Sequence, residues 1–169
     1  MKIIGISGSL RAGSSNAAVL RAFPEIEIWE GLGDLPHFNP DLDGDDPPES
    51  VRAFRELLRS ADGVIICSPE YAHGIPGSLK NALDWLVSDG TLVGKPVVVI
   101  TTAPTYGEFA HAQLVEVLTT MQWNVLRDAC LLLRKNEDYT DKLRASETTD
   151  GSRLPSFSPL IRSSSCSVT

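Results

Sequence analysis

The run GVIICSPEYAHGIPGSLKNALDW, residues 63–85, decides the fold. Its first six residues are almost continuously apolar rather than alternating, the mark of a short strand covered on both faces, as in a parallel sheet. Pro69 stiffens the exit from that strand. A loop punctuated by glycine and proline then passes into a helix expected over 78–87. Working outward, the same unit repeats. Strand-length apolar runs recur at KIIGIS (2–7), EIEIW (25–29), PVVVITT (96–102) and, less clearly, DACLLL (128–133), with helices expected over 16–23, 48–60 and 109–123. The helix in PPESVRAFRELLRSA is the best defined: Val51, Phe54, Leu57 and Leu58 make a stripe of 3.6-residue period, with the arginines expected on the other face.

Strand and helix alternating in this way predict right-handed β-α-β units and an α/β three-layer sandwich. A five-stranded parallel sheet favours the flavodoxin-like order 2-1-3-4-5, whose ligand site lies at the carboxyl ends of the strands. At 169 residues, 42% hydrophobic and 22% charged, the chain suits one globular domain, expected over 1–150. Residues 151–169 read as a serine-rich tail, disordered or loosely packed. The acidic, proline-rich stretch 33–49 reads as a loop bent across the surface near the site, or as a plain solvated connection.

A formal charge of −7 disfavours non-specific contact with nucleic acid or anionic membrane, both of which rest on a basic surface. No apolar run approaches the ~20 residues of a membrane helix. Cys67, Cys130 and Cys166 form no close pair, so neither a disulfide framework nor a zinc site is suggested, and a cytoplasmic setting is expected. No third ligand at metal spacing accompanies His73 and His111, and His37 reads as a surface residue.

The loop after the first strand, GSLRAGSSN (8–16), has the character of a phosphate cradle. Glycines let backbone approach a ligand, hydroxyls donate hydrogen bonds, and a helix N-terminus presents partial positive charge. Ser15 or Asn16 is the expected N-cap. Arg11 carries the loop's full positive charge, worth about 1.5–3 kcal/mol in a charge-assisted bond to phosphate. Gly8 and Gly13 have Walker A spacing, but Ser14 stands where that motif needs lysine. The dinucleotide fingerprint fails as well, because Ser7 replaces its second glycine. A hydroxyl-rich loop without lysine suits a terminal monophosphate such as that of FMN.

The second loop, after strand three, faces the same crevice. Tyr71 offers an aromatic face and a hydroxyl suited to an isoalloxazine ring or ribityl chain. Glu70 reads more simply as structural than as a general base. Lys80 and Asp84 form an i,i+4 pair worth about 0.3–0.5 kcal/mol, and Trp85 belongs to core or interface.

Taken together, GSLRAGSSN, LPHFNPDL, SPEYAHGIPGSLKNALDW and the later AQL resemble the NADPH-dependent FMN reductase family, flavodoxin-like flavoproteins that include quinone, chromate and azo-dye reductases. The resemblance runs in order over roughly residues 1 to 125. It implies a phosphate cradle of Ser9, Arg11, Ser14, Ser15 and Asn16. Pro69, Glu70, Tyr71 and Ala72 would border the flavin, with His73 and Gly74 nearby. A third loop, TTAPTYGEFAHAQL (101–114), would complete the pocket near Thr102 and Ala103. Three departures stand out. Ala72 replaces an asparagine common in relatives, Glu108-Phe109 and then His111 replace a glycine pair and an arginine, and the carboxyl end lacks a clear final helix.

The implied function is an FMN-dependent NAD(P)H oxidoreductase, with NADPH or NADH as co-substrate and a quinone, flavin, azo dye or metal ion as acceptor. No catalytic side chain is required, because the flavin carries the chemistry. The resemblance also implies a homodimer or homotetramer. The alternative is a flavin-binding electron carrier or redox-sensing module without nicotinamide turnover, which the same fold supports.

Overall fold

The computed structural model describes residues 1–104 and 107–134; residues 135–150 of the expected domain and the expected tail 151–169 lie outside them. At the centre is a parallel sheet of β1 (Ile3–Ser7), β2 (Glu27–Trp29), β3 (Gly63–Pro69), β4 (Pro96–Ala103), β5 (Asn124–Val125) and β6 (Leu131–Arg134). The order is β2-β1-β3-β4-β5, with β6 also on β4. β5 pairs with Pro96 and Val97, whereas β6 pairs with β4 from Ile100 onward, so the two are parts of one fifth strand. The five-strand, flavodoxin-like order is therefore present.

The single strand expected over 128–133 is corrected. Residues Arg127–Ala129 wind into a short 3-10 turn, consistent with the low strand preference of Asp and Ala. Opposite this break the Val99 N–H donates to Cys130 Sγ at 3.3 Å.

All seven residues of β3 are buried, as a central strand with two covered faces requires. Alternation along the strands divides the core. Ile3, Ile65, Cys67, Val98 and Ile100 pack toward Val19 and Leu20 of α1 (Ser15–Arg21). On the other face, Ile4, Ile6, Val64, Ile66, Val97 and Val99 meet α2 (Glu49–Arg59), α3 (Gly77–Asp84) and α4 (Glu108–Thr120). Burying each such side chain contributes about 1.5–3 kcal/mol. α4 ends before the expected residue 123, because Gln122 turns left-handed (φ 60°) and the Trp123 N–H returns to the Leu118 carbonyl at 3.0 Å.

Two expectations about the face above α2 and α3 change. Val51, Phe54 and Leu58 are buried as the stripe predicted, but Arg55 is buried among them rather than on the outer face. Its guanidinium pairs with Asp43 at 2.6 Å and donates to the Trp85 carbonyl and to Ser88 Oγ. The stretch 33–49 is accordingly docked rather than simply solvated. Asn81 accepts from the Phe38 N–H (2.7 Å) and donates to the Pro36 carbonyl (2.9 Å), which also accepts from Trp85 Nε1 (2.8 Å). Phe38 packs edge-on against Trp85, 5.0 Å between ring centres. Trp85 is wholly buried and belongs to the core.

Asn81→Ala removes both hydrogen bonds that seat this stretch on α3. It is expected to cost about 1–3 kcal/mol, read as a lower urea midpoint. An unchanged midpoint would show that the stretch docks without it.

Candidate functional site

The register pairs Ser7 with Cys67 and Pro69 with Thr102, which brings the carboxyl ends of β1, β3 and β4 to one edge of the sheet. The loops leaving them enclose a cleft of about 260 Å³. Ser9, Arg11, Gly13, Ser14, Ser15 and Asn16 line one side, Pro69, Glu70 and Tyr71 the other, and Thr102, Ala103 and Pro104 the end of β4. Of the expected site residues, Ala72, His73 and Gly74 are not on its wall.

The first loop is held close to the sheet. The Gly8 N–H bonds the Cys67 carbonyl at 2.8 Å, and a Cβ at Gly8 would lie 3.0 Å from Leu79 and 3.3 Å from Ser68 Oγ. The N-cap of α1 is Ser14, not Ser15 or Asn16; its Oγ accepts from the Asn16 N–H at 3.2 Å. All three residue types cap well, and the chain takes the first of them.

Asn16 is almost wholly buried, and its Oδ1 accepts from Thr102 Oγ1 (2.8 Å) and from the Cys67 thiol (3.3 Å). Much of its side-chain capacity thus braces the cleft floor. Complete burial pushes the Cys67 thiol up, which keeps it a protonated donor. Arg11 is exposed and has no ion pair among the described residues. At Gly13 a Cβ would meet nothing within 4 Å, so the backbone there is open to an incoming group.

The second loop makes a tight hairpin. Tyr71 and Gly74 exchange backbone hydrogen bonds of 2.9 and 3.0 Å, and the two central residues, Ala72 (φ 49°) and His73 (φ 61°), are both left-handed. That is the geometry for which Asn-Gly is the favoured pair. The hairpin is tied to α4 at several points. Glu70 Oε2 accepts from the Ala110 N–H at 2.9 Å, a carboxylate at a helix N-terminus, and this contact gives Glu70 a structural use. Gln113 Oε1 accepts from the Ile75 N–H at 2.8 Å. Gln113 had no role assigned from the sequence, although it lies in the quoted AQL; its contact with residue 75 is a tertiary one that no local pattern reveals.

His111 is half-buried in the first turns of α4, with Nδ1 2.9 Å from Thr101 Oγ1. Burial holds its imidazole below the ordinary histidine range. Among the described residues no three His, Cys, Asp or Glu side chains gather as a metal site. No described helix is long and apolar enough to cross a membrane.

Residues 1–138 match the family described as NADPH-dependent FMN reductase. Over 113 residues the chain is 38% identical to a quinone reductase of Escherichia coli (strain K12), covering 61% of this chain and 60% of that protein. The chain thus spans about three-fifths of that relative's length. It is similar in structure to the flavoenzyme NAD(P)H:(acceptor) oxidoreductase FerB of Paracoccus denitrificans, with a TM-score of 0.64, 29% identity, and 98% and 92% of the two chains covered. A flavodoxin, WrbA-like protein from Agrobacterium tumefaciens shares the fold at a TM-score of 0.56 and 13% identity, over 83% of this chain and 86% of that one.

The His111 environment sets a pH dependence. The unfolded chain takes up this proton near pH 6.5, the folded chain only at lower pH. The stability it contributes is therefore present above about pH 6.5 and lost as pH falls below that value. The thermal midpoint of the native protein is expected to fall more steeply than that of His111→Gln between about pH 7 and pH 5. Parallel profiles would remove His111 as the cause.

Proposed function

The chain belongs to the NADPH-dependent FMN reductase family, and from that premise we propose that it is an FMN-dependent NAD(P)H oxidoreductase that reduces a small acceptor such as a quinone. The observation that carries the reading is the cleft at the strand ends, where several hydroxyls and the Arg11 guanidinium, which has no ion pair among the described residues, face an aromatic loop. The residues present fit the cofactor. Ser9, Arg11, Ser14 and Ser15, with the open backbone at Gly13, would hold the phosphate. Asn16 would keep these groups in place through Thr102 and Cys67.

Pro69, Glu70 and Tyr71 would border the ring system, Ala72 through its backbone, and Thr102 and Ala103 would close the inner end. His73 and Gly74 support that border from the hairpin tip. Bound FMN would supply the redox chemistry, a two-electron transfer from the nicotinamide hydride to a quinone with one further proton from solvent. The protein's part is to bind, orient and exclude water, which requires no nucleophilic side chain. A reducing cytoplasm suits the free thiols of Cys67 and Cys130.

The test is anaerobic mixing of the FMN-loaded protein with NADPH. Rapid bleaching of the visible flavin band is expected, whereas binding without bleaching would favour an electron carrier. Arg11→Ala should weaken FMN binding about tenfold to a hundredfold, the loss of one charge-assisted bond to phosphate. An unchanged dissociation constant would remove Arg11 from the cradle.

Self-association belongs to the same reading. A groove of about 570 Å³ beside Lys80, Asp84, Val93 and Met121 lies next to the exposed Val87. Light scattering is expected to give at least a dimer, and Val87→Asp to shift it toward monomer; a native monomer would overturn this part.

A further inference from the structure

Among the described residues, the exposed aromatic hydrophobes are Tyr71 (55%) and Phe109 (54%), and both belong to one feature. His73 lies flat on Phe109, with ring centres 4.3 Å apart and planes 11° from parallel. His73 reaches that position from the tip of the hairpin, where two successive non-glycine residues are left-handed. L-residues adopt that conformation at a cost, and such cost concentrates where a side chain must be aimed. The contacts of Glu70 with Ala110 and of Gln113 with Ile75 then hold hairpin and helix in register, so the stacked pair stands at a set place beyond the Tyr71 rim of the cleft.

Resting on the flavin-dependent reading above, we propose that the Phe109–His73 pair is a specificity element for the electron acceptor. It favours planar, uncharged aromatic acceptors of the quinone class, which gain a stacking surface beside the cleft. Two observations favour that occupant over the hydride donor. The exposed ring surface offers a flat apolar contact of the kind aromatic rings pair on. No cation of the helix adjoins it: α4, EFAHAQLVEVLTT, contains no lysine or arginine, and the Ala110 N–H near its start is already taken by Glu70. The pyrophosphate of a nicotinamide dinucleotide would find no cationic side chain on this helix, whereas a neutral quinone needs none.

The test uses the full chain loaded with FMN, NADPH as donor, and two acceptors of different shape, menadione and ferricyanide. Phe109→Ala, and separately His73→Ala, should raise the ratio of the menadione KM to the ferricyanide KM about fivefold to tenfold. Phe109→Trp should restore it. A second readout needs no turnover: titrating menadione into the oxidised protein without NADPH should shift the His73 ring proton resonances, and Phe109→Ala should abolish the shift.

A KM ratio within about twofold of native in both alanine variants, in protein that melts normally, would overturn the proposal. So would a change confined to the NADPH KM, which would assign the pair to the donor. Failure of the native chain to bind FMN would overturn the flavin reading and this inference with it. Binding of FMN with no His73 shift would overturn this inference alone.

Discussion

The buried amide of Asn16 is the contact on which the cleft depends. Its Oδ1 accepts from the hydroxyl of Thr102 on β4 and the thiol of Cys67 on β3, and its backbone N–H is taken by Ser14, the cap of α1. One side chain thus links the first loop to two neighbouring strands. Leaving a buried polar group unmatched costs about 1–3 kcal/mol, so the members of this set support one another. Cys67 takes part only as the protonated thiol, and complete burial keeps it in that form. The floor of the cleft is organised before any ligand arrives, which lowers the ordering cost of binding.

The opposite wall is organised by another means. The hairpin after β3 is short and strained, and it is held against α4 by the Glu70 and Gln113 side chains and by the His73–Phe109 stack. A carboxylate bonded to a helix N-terminal amide satisfies a donor that has no partner within the helix. That position gives Glu70 a use which needs no proton transfer, in keeping with chemistry carried by a cofactor. Two of the positions read as departures from the family resemblance, Ala72 and Phe109, belong to this hairpin and helix. Ala72 occupies a left-handed position that asparagine adopts more readily, and Phe109 supplies the ring on which His73 stacks.

How far the sequence revealed this depends on whether a feature is local. The continuous apolar run of β3, the 51–54–58 stripe and the loops at the strand ends were legible because strand and helix periodicity follow from backbone geometry. Ten of the expected cleft residues, from Ser9 to Ala103, do line it. Arg55 was misread because periodicity treats arginine as outward-facing; its burial depends on Asp43 and on the Trp85 carbonyl, both distant in sequence. The cap of α1 could not be chosen within a run of three good capping residues. Asn81, Gln113 and Glu70 act across elements, where no spacing rule applies. The break in the fifth strand turned on Asp128 and Ala129, whose weak strand preference stands beside the strongly apolar leucines that follow.

Several carboxylates of this acidic chain are occupied by partners. Asp43 is paired with Arg55, Asp89 with Arg59, Asp84 with Lys80, and Glu70 with the start of α4. Charges farther away act through solvent, where their influence is screened out over about 8 Å at physiological ionic strength. The field at the first loop is therefore governed by Arg11, the serine hydroxyls and the amides at the start of α1, not by the formal charge of −7. Net charge argues against extended polyanions, which sample the whole surface. A single phosphate samples one loop, and there the local donors decide.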